Sequence, residues 1–73
     1  MEEQIKDVLR RTFGITEVDR TLSQKTCEKW DSMGQINLVV ELEMEFGISL
    51  EPEEIADMTT YDEVVRIVSQ KIK

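Results

Sequence analysis

Few side chains in this 73-residue chain can do chemistry, and the first of them is Ser32, in the run Trp30-Asp31-Ser32-Met33. A serine hydroxyl becomes a nucleophile when a base activates it, and the chain contains no histidine. The same lack removes the commonest general base and the commonest metal ligand. Cys27 is the single cysteine, so it can form no internal disulfide and no cysteine-based metal site. It reads as a small loop or half-buried residue in a reducing compartment. The acids between Glu51 and Asp57 miss the spacing of a calcium-binding loop, and there is no Gly-rich phosphate cradle. Neither catalysis by this chain alone nor a metal site is expected. In local terms Ser32 is a helix cap: with Gln35 three residues on, it fits a capping box that satisfies free N–H groups at a helix start.

The elements around Ser32 are helical. Ile5, Val8, Leu9, Thr12 and Phe13 fall on one face of a first helix over Glu2 to Phe13, and Gly14 suits a left-handed cap behind it. Gly14 to Trp30 has no sustained period and reads as a long loop, pinned to the core by Ile15, Val18 and Leu22. A loop of that length in a small domain needs a job or an anchor, and this one delivers the chain to Asp31 and Ser32. The second helix runs from Ser32 to Phe46, where Gly47 stops it. Pro52 suits a first helical position, which predicts a short third helix to Ala56. Thr60-Tyr61-Asp62-Glu63 is a second capping box, opening a fourth helix from Tyr61 to Lys71, with Lys71 and Lys73 complementing its dipole.

The second helix carries two apolar arcs. At about 100° per residue, Gln35, Leu38, Val39, Leu42 and Phe46 share a core-facing arc. Met33, Ile36, Val40 and Met44 lie roughly opposite with Asn37 beside them, while Glu41 and Glu45 occupy a gap between the arcs. Two readings of the second arc stand. Either it is buried against the third helix or the loop, or part of it is exposed and docks partners, for which adaptable Met side chains are suited. In the docking reading Met33, Val40 and Met44 supply the contact, and Glu41 and Glu45 meet basic residues on the partner.

The run Trp30-Asp31-Ser32-Met33, followed by Ile36, Leu38, Val39 and Leu42 and closing on Glu45-Phe46-Gly47-Ile48, resembles the acyl carrier protein family. The resemblance extends to the first helix, the long loop, the acidic segment Leu50-Glu51-Pro52-Glu53-Glu54-Ile55 and the Thr-capped last helix. It implies an all-α fold, a four-helix bundle of acyl-carrier type with a long loop after the first helix and a short third helix, as one domain over residues 1–73. It further implies that a phosphopantetheinyl transferase attaches a 4'-phosphopantetheine arm from coenzyme A to Ser32. Asp31 would be the acid kept for the transferase contact or its metal environment; its local chemistry also suits it to share the cap or hold the loop, and both readings stand. Free N–H groups and the positive dipole end at this helix start would favour the linking phosphodiester. Met33, Ile36, Ile55, Met58 and Val64 are candidates to line the route of the arm or its cargo, although each could equally be core. Gly34, Asn37 and Met44 stand where carriers of fatty acid synthesis usually have acids, and Trp30 before Asp-Ser resembles specialised carriers.

Sixteen acidic against nine basic residues give a net charge of −7, which repels a phosphate backbone and disfavours anionic membrane surfaces. No apolar run approaches the roughly 20 residues of a spanning helix. The acidic start Met1-Glu2-Glu3 is unlike a secretory signal, so the expectation is a cytoplasmic monomer whose partners carry basic patches. The leading reading is a carrier that holds acyl or aminoacyl intermediates as thioesters for loading and transferring enzymes and performs no catalysis of its own. The alternative is a helical interaction module that binds a partner through its second helix and carries no cofactor.

Overall fold

A computed structural model of the chain describes residues 2–72; Met1 and Lys73, including the dipole role expected of Lys73, lie outside it. The described residues form four helices: α1 (Glu2–Phe13), α2 (Ser32–Phe46), α3 (Pro52–Asp57) and α4 (Tyr61–Lys71). α1 buries Ile5, Val8, Leu9 and Phe13, the face its spacing predicts. α1 and α2 both end on glycines in the left-handed region, Gly14 at φ 65° and Gly47 at φ 63°. There the next N–H reaches back past the turn, Ile15 to the Arg10 carbonyl at 3.1 Å and Ile48 to the Glu43 carbonyl at 3.3 Å. Both closures match the glycine-capped pattern that satisfies carbonyls at a helix end.

α3 runs one residue beyond the expected Ala56, to Asp57, and buries no side chain of its own. It is held by polar contacts: Lys71 Nζ lies 2.9 Å from Glu54 Oε1, and Glu54 accepts the Glu51 N–H at 2.8 Å. α4 opens on Thr60, whose hydroxyl oxygen accepts the Glu63 N–H at 3.2 Å. Only that half of the second capping box forms, because the Glu63 carboxylate turns to Arg66 at 2.6 Å.

The long loop is anchored at several points. Val18, Cys27 and Trp30 are buried, Ile15 and Leu22 pack against the core from its edge, and Cys27 is a free thiol. Leu22 to Gln24 lies antiparallel to the α3–α4 connection: the Tyr61 N–H meets the Leu22 carbonyl at 2.9 Å, and the Gln24 N–H meets the Thr59 carbonyl at 3.0 Å. Tyr61 is itself buried and donates its hydroxyl to Glu2 at 2.8 Å, so one residue ties the loop, α4 and α1. Apolar burial is the driving term here, each large side chain contributing about 1.5–3 kcal/mol. The loop's share of it fixes where the chain enters α2.

Candidate functional site

Trp30 sets the entry to α2. Its side chain is 1% exposed and stacks on Phe13 with ring centroids 5.2 Å apart. A buried indole N–H needs an acceptor, and Trp30 Nε1 donates to Gln35 Oε1 at 2.6 Å. The other end of the same amide, Gln35 Nε2, donates to the Ile55 carbonyl of α3 at 2.8 Å. Gln35 therefore joins the loop, α2 and α3 and does not close the capping box expected with Ser32.

The cap itself is Asp31. Its backbone is extended (φ −96°, ψ −164°), and Oδ1 accepts the Gly34 N–H at 2.8 Å. Its carbonyl takes the Gln35 N–H at 2.8 Å. Ser32 is thus the first residue within the helix, and this corrects the expectation that its hydroxyl is the cap. The Ser32 side chain is exposed, and its hydroxyl forms no hydrogen bond among the described residues. The N–H groups of Ser32 and Met33 have no intrahelical acceptor by helix geometry, so the helix start still offers donors and a positive dipole end. An exposed hydroxyl there fits a phosphodiester, whose charge those donors and that dipole favour. An open groove lined by Gln24, Trp30, Asp31, Ser32, Gln35 and Ile36 adjoins the hydroxyl.

Gly34 accounts for one departure from the acidic pattern. It is buried, and a Cβ there would run into the Lys29 carbonyl oxygen and press on the Phe13 ring. The segment that delivers Asp31 and Ser32 crosses too close for any side chain, so position 34 has no outward face to carry an acid.

The core arc of α2 stands as read: Leu38 and Leu42 are buried, with Val39 and Phe46 packed on their flank. The opposite arc faces solvent, with Met33 67%, Ile36 58%, Val40 47% and Met44 75% exposed. The reading that buries this arc under α3 or the loop therefore fails. Glu41 and Glu45 do not stand free beside it. Arg11 of α1 reaches both, Nε at 3.0 Å from Glu41 Oε1 and Nη2 at 3.1 Å from Glu45 Oε1. Those hydrogen bonds, donated to Glu45 and then, with less effect, to Glu41, hold the Arg11 guanidinium more firmly charged than usual. Being half exposed, the cluster adds little stability, but it offsets one of the two negative charges on that flank.

Met58 and Val64 are 0% exposed and sit in the core, while Ile55 is half-buried. Sequence reasoning did not find the Gln35 bridge, the Gly34 clearance or the Arg11 clamp. Among these, only the Gln35 bridge had a signal in the sequence, an indole donor at Trp30 five residues before an amide able to accept from it.

No described helix is long and apolar enough to cross a membrane, and the described residues hold no cluster of three or more potential metal ligands. The family model described as "Phosphopantetheine attachment site" matches residues 3–68. The D-alanyl carrier protein of Lactococcus lactis is 37% identical, the alignment covering 97% of this chain and 95% of that protein. An acyl carrier protein of Petrotoga mobilis is 28% identical over 96% of this chain and 85% of that protein. The solution structure of the holo acyl carrier protein from Geobacter metallireducens superimposes with a TM-score of 0.87 at 22% identity, covering 97% of this chain and 84% of the other, and so shares the fold. The chain belongs to the phosphopantetheine attachment site family and is a carrier protein whose cofactor is a covalently attached phosphopantetheine arm.

Proposed function

We propose that Ser32 is the residue that carries the arm, and that the chain is one cytoplasmic, monomeric carrier domain without catalysis of its own. The observation that carries this reading is the division of labour at the start of α2: Asp31 caps the helix, and the Ser32 hydroxyl is left exposed and unbonded. A phosphopantetheinyl transferase would join the Ser32 oxygen to the pantetheinyl phosphorus of coenzyme A, breaking the pyrophosphate bond and releasing adenosine bisphosphate as the hydroxyl proton leaves to a base on the transferase. The attached arm supplies a thiol on which cargo is held as a thioester. This chain contributes the helix N–H groups that favour the phosphate, the surface that presents it, and contacts to loading and transferring enzymes. Asp31 belongs to the transferase contact as well as to the cap.

For docking, the reading is the exposed stripe of Met33, Val40 and Met44, with the Glu41 and Glu45 pair at its side. The apolar stripe, Trp30 before Asp-Ser, and relatives named as D-alanyl carriers support an aminoacyl or short acyl cargo in a specialised pathway.

Incubation of the purified chain with coenzyme A and a broad-specificity transferase, followed by intact mass, tests the attachment. One added phosphopantetheine in the natural sequence and none in Ser32→Ala is expected; a gain that survives Ser32→Ala would sink the assignment. Met44→Asp should leave folding unchanged and slow transfer from a cognate loading enzyme, since the position is mostly solvent-exposed. Unchanged transfer with both Met44→Asp and Val40→Asp counts against docking on this face.

A further inference from the structure

We propose that the Gln35 amide is a specificity-determining latch that keeps extended acyl chains out of the helical core, so that this carrier displays short or polar cargo on its surface. The inference rests on the carrier reading with Ser32 as the attachment point. Gln35 lines the groove beside Ser32 and bridges from the loop to α3, accepting from Trp30 Nε1 at 2.6 Å and donating to the Ile55 carbonyl at 2.8 Å. An apolar chain carried on an arm from Ser32 and turned inward between α2 and α3 past Gln35 has to break that bridge. Doing so strands a buried indole N–H and leaves the amide without its partners, and unpaired polar groups are costly away from water. α3 is the element such a chain would have to lift, and the Gln35 bond to the Ile55 carbonyl ties it to α2 alongside the half-buried Ile55 side chain, which packs on the core. Behind the bridge lies an apolar interior: Trp30, Leu38, Leu42, Met58 and Val64 are each 0–1% exposed. A short acyl or aminoacyl group gains little from burial and has no reason to enter.

The test uses the full chain loaded by a broad transferase with acetyl- or octanoyl-coenzyme A, with the thioester then cleaved by hydroxylamine. Each methylene withdrawn from water favours the sheltered form about fourfold, so three sheltered methylenes would slow cleavage about sixtyfold. For the natural sequence, the octanoyl-to-acetyl rate ratio should equal that of the free acyl-pantetheines. In Gln35→Ala the octanoyl form should become protected while the acetyl form keeps its rate. Gln35→Leu, which keeps the volume and removes the amide, provides the same comparison if the alanine variant is unstable. A chain-length-dependent ratio is the deciding readout, because general loosening of the fold would not slow one thioester selectively. Protection of the octanoyl form in the natural sequence overturns the proposal, as does the absence of protection in both variants. Loading is read first by intact mass. No mass gain overturns the carrier reading and this one together, whereas a loaded but protected thioester overturns this one alone.

Discussion

Asp31 rather than Ser32 supplies the cap of α2, and two alanine variants of the apo protein measure that assignment directly. Asp31→Ala removes an acceptor 2.8 Å from the Gly34 N–H. Losing an N-cap side chain costs about 1 kcal/mol. Losing a negative charge at a helix start adds about 0.5 kcal/mol on an exposed site. The expected loss is about 1.5 kcal/mol, which for a domain this small lowers the melting midpoint by roughly 6–12 °C. Asp31→Asn keeps the acceptor and loses the charge, so about 0.5 kcal/mol is expected. Ser32→Ala removes a hydroxyl that bonds to nothing among the described residues, and its effect should stay within about 0.5 kcal/mol. Urea denaturation of the three variants, with slopes compared to exclude changes in compactness, gives the ranking. If Ser32→Ala loses as much as Asp31→Ala, Ser32 is the cap and the reasoning about a spare hydroxyl is wrong.

Gly34→Ala should destabilise by about 1 kcal/mol, because the clash with a backbone carbonyl and the Phe13 ring outweighs the helix preference of alanine, and denaturation that shows a gain would contradict the close crossing. Tyr61 is the single tyrosine, and burial, followed by its hydrogen bond to Glu2, pushes its pKa up to about 12, so the phenolate absorbance should rise well above the usual 10. A titration midpoint near 10 would place the hydroxyl in water. Because the folded value lies above the unfolded one, the stability linked to Tyr61 is complete below about pH 10 and is lost as pH rises toward 12. On the acid side, Glu54 is held below its usual 4.5 by the Glu51 N–H and then by Lys71, and Glu63 by Arg66. Stability from these depressed groups is present above that value and lost as pH falls through the folded ones, so Glu54→Gln with Glu63→Gln should flatten the acid limb of a stability-against-pH curve, and an unaltered limb would count against it.

The helices were legible because their signals are local. Gly14 and Gly47 sit at left-handed caps, Pro52 opens α3, and Thr60 caps α4, each within a few residues of the pattern that reveals it. The bounds of α2 stand as expected, and only its capping residue differs, by one position, for a physical reason. Asp and Ser are both strong caps, and Asp31 with Gly34 or Ser32 with Gln35 satisfies the same three-residue spacing. Only the burial of Trp30, which draws the Gln35 amide inward, decides between them. That burial lies in a loop without period and had no sequence signature. The Arg11 clamp spans 30 and 34 residues to Glu41 and Glu45, a separation at which no spacing rule operates. The exposed arc of α2 was visible as a pattern, but its exposure depended on where α3 packs.

The order Asp then Ser has a physical consequence for a carrier. An N-cap side chain must turn back onto the N–H three residues on, so a serine in that position commits its hydroxyl to the helix. Attaching a bulky phosphate ester to such a serine would break the cap at the point from which the arm is displayed. Placing the acid one residue earlier lets Asp31 hold the Gly34 N–H while Ser32 carries no structural bond. The free N–H groups of the first turn then remain for the phosphate that modification brings. With the proposed attachment at Ser32, capping and attachment occupy neighbouring residues and draw on different donors. The Trp30–Gln35–Ile55 chain keeps that start of α2 fixed relative to both the loop and α3. An arm on Ser32 leaves from a helix end whose position does not depend on the modified side chain.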